Sequence, residues 1–289
     1  MMRGLVCVAA LGCGVAAWAA DGAVGPPDAS WGADRLAAAL QGPDAAVAVA
    51  AAAALGELRE SAVAYAALSG ATANRKLAPQ VRGASVKALA GYGDARATMT
   101  LVGVLGDKDV GYAAASALPA FASPALTTAL ITTLRGDKDA AKRAAAAGVL
   151  GRVRGAGAAD ALAAALTDKD AGVRAAAADA LGGLGDAAAT EPLCAVATGD
   201  KDWRARWAAA KALGVLKDER AVTALCGRLE DKRPEVRATA AASLTAVGDV
   251  RALDPLRARY KVEKDAATKR AMGAAIEGMT KAVVEGIKP

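Results

Sequence analysis

The side chains that could carry chemistry in this sequence are carboxylates, arginines, lysines and a few cysteines, because histidine is absent. Histidine is the commonest general base and metal ligand near neutral pH, so acid–base and zinc constellations lose their usual member. Of the four cysteines, only Cys194 and Cys226 lie outside the N-terminal apolar segment, and their separation gives no zinc spacing. The paired aspartates lack the dense acidic loop of an EF-hand. No glycine-rich phosphate loop is present. We therefore expect no catalytic residue, no cofactor and no metal, and a protein that is not an enzyme.

The carboxylates recur in one tripeptide, Asp-Lys-Asp. Four intact copies occur at residues 107–109, 137–139, 168–170 and 200–202, and two degenerate copies at 231–233 and 263–265. The central lysines are 30, 31, 32, 31 and 32 residues apart. A fixed period of this length predicts a repeat architecture.

Each repeat has the pattern of two helices. The second Asp of the tripeptide suits an N-cap, and the Ala/Leu run after it has helical spacing. Gly93, Gly185 and Gly248 occupy the position where a left-handed residue ends a helix. The residues directly after them are Asp94, Asp186 and Asp249. Proline stands near the start of several of the following helices, where a missing N–H costs little. Those prolines are Pro124, Pro192 and Pro255.

This pattern resembles the HEAT repeat in its short form, named for phycobilisome lyases. The positions that match its motif are Asp170, Val173, Arg174, Ala177, Ala180, Leu181, Gly182, Leu184, Gly185 and Asp186. The resemblance runs from about Trp31 to Ile287 and implies an all-α fold, a right-handed α-solenoid of about eight stacked antiparallel helix pairs. The first copy has Ala48 in place of the arginine. The third departs at Ala113 and Pro119, so we expect it to be shortened or bent.

A column of cations occupies the motif's arginine position in successive repeats. Its members are Arg82, Arg143, Arg174, Arg206, Arg237 and Lys269. One interpretation is a basic stripe for phosphate or an acidic partner. The other is a structural ladder in which each guanidinium pairs with a repeat aspartate such as Asp139, Asp170 or Asp202. The resemblance to HEAT proteins favours the structural ladder.

Two tryptophans stand four residues apart at Trp203 and Trp207, and so share one helical face. Arg204 and Lys211 lie close by, and Trp and Arg dominate binding hot spots. We expect Trp203, Arg204, Trp207 and Lys211 to form a partner-binding patch. The alternative is that both rings fill a local gap between repeats.

Cys194 and Cys226 occupy equivalent positions in neighbouring repeats. Equivalent side chains of stacked helices point the same way and lie about 8–10 Å apart, which is too far for a disulfide. We therefore expect two free, buried thiols.

The N-terminus has the pattern of a secretory signal peptide: a basic Met1-Met2-Arg3, an apolar stretch from Gly4 to Val15, and Ala17-Trp18-Ala19 as a cleavage site. We assign residues 1–20 to the signal, 21–30 to a linker and 31–289 to the solenoid. The protein is then periplasmic or secreted, without a transmembrane span once the signal is removed. Alternatives are a first hydrophobic helix of the fold, or a lipoprotein anchored at Cys13.

Together these features predict an exported HEAT-repeat scaffold that binds another protein, since solenoids present extended surfaces. One alternative is a lyase or chaperone-lyase like the phycobilin-attaching relatives, against which stand the export signal, the missing histidine and the scarcity of aromatics. A less favoured alternative is a nucleic-acid-binding HEAT-like protein, and we expect no nucleic-acid partner because the chain carries an export signal.

Overall fold

The structure, a computed structural model, describes residues 26–284, and within that range it is all-helical with no strand. A short 3-10 turn, Ala29–Trp31, precedes the first α-helix. The described residues form sixteen α-helices: α1 (Ala33–Leu40), α2 (Ala45–Glu57), α3 (Ala62–Ala73), α4 (Pro79–Tyr92), α5 (Ala95–Gly103), α6 (Gly111–Ala117), α7 (Pro124–Gly136), α8 (Ala140–Val153), α9 (Ala158–Ala165), α10 (Ala171–Leu184), α11 (Thr190–Gly199), α12 (Trp203–Leu216), α13 (Val222–Arg228), α14 (Pro234–Val247), α15 (Leu253–Val262) and α16 (Ala266–Val284).

The chain divides into two compact units between Leu101 and Val102. In the first, α1 and α2 pack as one pair and α3 and α4 as the next, with α2 against α4 and α1 against α3. In the second unit, α6, α8, α10, α12, α14 and α16 pack side by side in that order. We call these six the B helices. Helices α7, α9, α11, α13 and α15 lie against them as the other member of each pair. The helix pairs that the sequence predicts are thus confirmed.

A leucine column runs through the centre of the B helices. Leu150, Leu181, Leu213 and Leu244 hold equivalent positions and are buried, as are the alanines around them. Alanine loses little side-chain entropy on burial and lets helices approach closely, so the second unit forms an apolar core although the chain has a single phenylalanine.

Glycine sets how closely consecutive B helices approach. A Cβ built on Gly182 would lie 2.8 Å from Ala212 Cα, and one on Gly151 would lie 2.8 Å from Ala180 Cβ. Both distances are below ordinary van der Waals contact. This explains why glycine follows the leucine of α8, α10 and α12, at Gly151, Gly182 and Gly214.

The helix ends follow the sequence prediction closely. Asp139, Asp170 and Asp202 cap α8, α10 and α12 by accepting hydrogen bonds from first-turn amides at 2.8–2.9 Å. Gly93, Gly185 and Gly248 are left-handed at the C-caps of α4, α10 and α14. Two helices depart from this pattern, because Arg154 and Lys217 adopt φ 55° where other repeats have glycine.

The third repeat is shortened, as predicted. Helix α6 has only 7 residues and runs into a 3-10 turn, Leu118–Phe121. Pro119 has no N–H and cannot bond the carbonyl four residues earlier, that of Ala115. Arg152 of α8 donates to that carbonyl instead, with Nη2 to O at 2.7 Å.

Some of the sequence predictions fall on residues 1–25, which lie outside the described range. They include the signal peptide, the cleavage site and the anchor at Cys13. Within residues 26–284 no helix combines the length and apolar character needed to cross a membrane.

The close approach of B helices predicts opposite effects for two adjacent glycines of α10. Gly182→Ala forces a methyl group against Ala212, and such overpacking costs about 1–3 kcal/mol, more than the helix propensity of alanine returns. Gly183 is exposed with no atom within 4 Å of a built Cβ. In urea titrations we expect Gly182→Ala to lower the free energy of unfolding by about 1–2 kcal/mol and Gly183→Ala to raise the free energy of unfolding by about 0.5–1 kcal/mol. Equal effects would contradict this packing.

Candidate functional site

The arginines of the motif form two-pronged pairs with carboxylates of the following repeat. Arg174 donates from Nε to Asp200 Oδ2 at 2.6 Å and from Nη2 to Oδ1 at 2.7 Å. Three other pairs repeat this geometry at 2.6–2.9 Å, namely Arg143 with Asp168, Arg206 with Asp231, and Arg237 with Glu263. Parallel N–H···O bonds of this kind fix direction as well as distance.

The third nitrogen of each guanidinium turns back to its own repeat. Arg174 Nη1 donates to the carbonyls of Asp168 at 2.9 Å and Lys169 at 3.3 Å. Arg143, Arg206 and Arg237 bond the corresponding carbonyls of their own tripeptides. One side chain therefore joins two successive tripeptide loops, and we call each such link a rung.

The carboxylate partners differ from those the sequence suggested. Asp139, Asp170 and Asp202, the second acids of their tripeptides, cap helices, while the rung uses the first acid. The first acid also accepts the backbone N–H of the second, as Asp168 Oδ1 does from Asp170 at 2.8 Å. Capping holds the second carboxylate at its own helix end, so only the first is free to reach the preceding repeat.

The two terminal members of the cation column are held differently. Arg82 is buried, and its Nε and Nη2 donate to the carbonyl of Thr72 at 3.1 and 3.0 Å. The Lys269 ammonium lies 5.1 Å from the centre of the Tyr260 ring. Neither geometry presents an open phosphate site.

The rungs shift the ionisation of their carboxylates. A hydrogen bond from Arg237 lowers the pKa of Glu263 to about 2, against the opposing effect of burial. Burial raises the pKa of Asp231, but hydrogen bonds from Arg206 and the Arg233 amide outweigh it, so the net pKa is lowered. The arginine charges are thus neutralised within the fold, which favours the structural interpretation of the column.

The tryptophan patch lies on α12 with both rings half-buried and each covered by a cation. The Arg233 guanidinium lies 4.6 Å from the Trp203 ring centre and the Lys211 ammonium 5.2 Å from that of Trp207. Arg204 and Lys211 are exposed and pair with Asp202 and Asp179 at 2.9 and 3.2 Å. The structure places all four predicted residues on one helix, partly open to solvent.

Sequence reasoning missed the contribution of Arg233. It stands where most tripeptides have the second aspartate, and it reaches back from the next repeat to Trp203. The degenerate tripeptide Asp231-Lys232-Arg233 was the available signal. Replacement of a capping aspartate by arginine leaves α14 without a side-chain cap and provides the cation over the ring.

Cys194 and Cys226 are free, as predicted, but half-buried rather than buried. Burial, followed by the nearby Glu191 and Asp218 charges, raises the pKa of Cys194 to about 11. Burial also raises the pKa of Cys226. Both are thiols rather than thiolates near neutral pH, which makes them weak nucleophiles. Across residues 26–284 no group of three or more Cys, Asp or Glu side chains is arranged to hold a metal ion.

The lowered pKa of Glu263 makes its rung dependent on pH. The pKa of Glu263 is lower in the folded protein than its ordinary value of 4.5, so its negative charge stabilises the fold fully when the pH is above 4.5. This stabilisation decreases below pH 4.5 and is lost as the pH falls through about 2. Glu263→Gln leaves Arg237 without its charged partner. We expect it to lower the free energy of unfolding by about 2–4 kcal/mol at pH 7, with a smaller difference from wild type at pH 3.

Glu235→Gln is the matched control, since that exposed carboxylate pairs with Arg233 on the surface at 2.9 Å. Urea titrations at several pH values measure both variants. A pH-independent difference for Glu263→Gln, or an equal loss for Glu235→Gln, would show that the Glu263 charge does not stabilise the fold.

Comparison with known proteins identifies the fold. The family model for HEAT repeats matches residues 127–213 and 190–277, which together cover just over half of the chain. Curated protein sequences give no match. The protein YibA of E. coli is 18% identical with a TM-score of 0.55, over 88% of this chain and 94% of its own.

Two further structures are similar over most of this chain. The karyopherin Kap121p, bound to the extreme C-terminus of the protein phosphatase Cdc14p, is 14% identical with a TM-score of 0.59 over 90% of this chain. This chain spans only 40% of that karyopherin. The CpcE–CpcF complex of phycocyanin lyase from Nostoc is 21% identical with a TM-score of 0.38, over 89% of this chain and 97% of its own. By the family match and the repeated helix pairs, the chain belongs to the HEAT-repeat family.

Proposed function

We propose that this protein is an exported scaffold that binds another protein through the tryptophan patch of α12 and has no catalysis of its own. The observation that carries the proposal is the pair of half-buried rings, Trp203 and Trp207, on one face of α12. Neighbouring B helices have Ala175 and Ala238 where α12 has Trp207. Trp207 therefore adds aromatic surface that the corresponding positions of α10 and α14 lack.

The physical character of the patch suits protein recognition. Large rigid aromatic rings gain much contact area at low cost in side-chain entropy, and they dominate measured hot spots. Lys211 follows Trp207 by one turn, and Val215, which is 56% exposed, follows Lys211 by another. An apolar anchor flanked by exposed charges is the usual anatomy of a protein interface.

The karyopherin similarity supports the scaffold class. Kap121p, which shares the fold, binds the C-terminal end of a phosphatase. A solenoid with the same stacked helix pairs can present a comparable extended surface to a peptide or a folded partner. The basic and apolar start of the sequence, Met1 to Val15, supports export.

Crosslinking in the periplasm followed by pulldown tests this proposal with wild type, Trp203→Ala/Trp207→Ala and Trp31→Ala. Trp31 is a matched control because its ring is also half-buried under a cation, with Arg35 at 3.9 Å. We expect a specific crosslinked partner that is lost in the double variant and kept in Trp31→Ala. All three proteins should unfold within a few degrees of one another.

A melting temperature that falls by many degrees in the double variant, with partner binding unchanged, would instead assign the rings to packing. The N-terminal sequence of the captured protein tests export in the same sample. A start near Asp21 supports a cleaved signal, a lipid-modified start at Cys13 places the protein on a membrane surface, and an intact Met1 contradicts export.

A further inference from the structure

The central lysines of the last five tripeptides form a series of charges that the fold does not pair. Lys138, Lys169, Lys201, Lys232 and Lys264 are exposed, and none forms an ion pair with any residue between 26 and 284. We call these five residues the lysine row. Each lies in the loop before a B helix, so the row follows one edge of the second unit.

The rungs hold the backbone of this row in place. The carbonyls of Lys138, Lys169, Lys201 and Lys232 accept hydrogen bonds from arginine Nη1 atoms at 3.1–3.3 Å. The lysine side chains therefore project from loops that the ladder fixes. Their spacing follows the distance between adjacent B helices, which is about 8–10 Å for packed helices.

Positive charge is concentrated at the C-terminal part of the row. Residues 200–270 contain 17 Lys and Arg against 11 Asp and Glu, a difference equal to the net charge of +6 for the whole chain. Around Lys201, the capping Asp202 is neutralised by Arg204. Beside Lys232 the second acid is replaced by Arg233. Near Lys264, Glu263 pairs with two guanidiniums, while Asp265 accepts a hydrogen bond from the Thr268 amide.

A polar cleft of about 370 Å³ lies between Lys201 and Lys232. The acids that line it are engaged, since Asp200 pairs with Arg174, Asp231 with Arg206, and Glu230 with Arg259. Arg228, also in its wall, makes one long hydrogen bond to Asp231 at 3.3 Å, and its Nε is buried without an acceptor. A carboxylate entering the cleft would meet Lys201, Arg228 and Lys232.

We propose that the lysine row from Lys201 to Lys264 binds an acidic peptide in the polyproline II conformation, with a carboxylate at every third residue. That helix has 3 residues per turn and rises about 3.1 Å per residue, so every third side chain returns to the same face after about 9 Å. This repeat matches the expected spacing of the row. The inference rests on the proposed protein-binding function and names the chemistry of a segment of the partner.

Charge density favours a peptide over nucleic acid. A nucleic-acid strand carries about one phosphate per 3.4 Å, or nearly three for each interval of the row. The row provides one unpaired lysine per interval, and three carboxylates line the cleft between two of them. A peptide with widely spaced carboxylates places one charge on each lysine and neutral residues over the intervals, where each carboxylate is already paired with an arginine.

Fluorescence anisotropy with the full chain tests the proposal. The probes are a labelled (Glu-Pro-Pro)4 peptide, a peptide of the same composition with its four glutamates in one block, and a twelve-residue oligo-dT. The variant is Lys201→Ala/Lys232→Ala/Lys264→Ala. Its control, Lys76→Ala/Lys87→Ala/Lys217→Ala, removes the same charge from exposed lysines outside the row.

We expect the periodic peptide to bind about fivefold or more tightly than the block peptide, and the row variant to lose about tenfold in affinity while the control keeps it. Equal affinity for both peptides, equal losses in both variants, or tighter binding of oligo-dT than of the periodic peptide overturns the proposal. If the row fails while Trp203→Ala/Trp207→Ala still removes the crosslinked partner, the scaffold function stands. If the peptide result holds and the crosslinked partner does not depend on those rings, the row stands and the patch fails.

Discussion

The rung between an arginine and the first carboxylate of the next tripeptide is the interaction on which the rest of the structure depends. Each side chain of the pair Arg206 and Asp231 comes from a different repeat, and both are largely withdrawn from water. Such a pair is costly to bury alone and favourable only when its geometry is complete. In the rung, Arg206 donates two parallel hydrogen bonds to Asp231 and further hydrogen bonds to backbone carbonyls of its own loop, so the buried charges are paired. It therefore fixes the register of one repeat against the next in a way that alanine packing, which has little shape, does not.

Register in turn determines what the surface presents. Because the rungs hold the tripeptide loops, the exposed lysines project at regular intervals. The tryptophan-bearing face of α12 lies between α10 and α14, which have alanine where α12 has Trp207. The stability of repeat proteins is a sum of repeat and interface contributions, so variation at exposed positions costs the fold little. Trp207 is such a variation: it stands where both neighbouring copies have alanine, and the leucines of the column are buried in all three helices.

Most of the architecture could be predicted from the sequence because the same capping, helix-forming and helix-ending residues recur in successive repeats. Aspartate caps, left-handed glycines and the shortened third repeat at Pro119 all follow from single-residue chemistry. The sequence could not predict which acid of a tripeptide pairs with the arginine of the preceding repeat. Asp168 and Asp170 are chemically equivalent, and only the fold shows that Asp168 is the one that pairs with Arg143. The cation over Trp203 was also hidden, because Arg233 is remote in sequence and its proximity depends on the stacking of α12 and α14.

A double-mutant cycle between Arg206 and Asp231 tests the central role of the rung most directly. The four proteins are wild type, Arg206→Ala, Asp231→Ala and the double variant, with the exposed pair Lys211 and Asp179 as a second cycle. If the rung fixes one repeat against the next, the coupling free energy is about 1.5 kcal/mol or more across the rung, and about 0.5 kcal/mol or less across the exposed pair. Equal coupling in the two cycles would contradict it, because the arginines and carboxylates would then be no more than surface charges on a solenoid held together by its alanines and leucines.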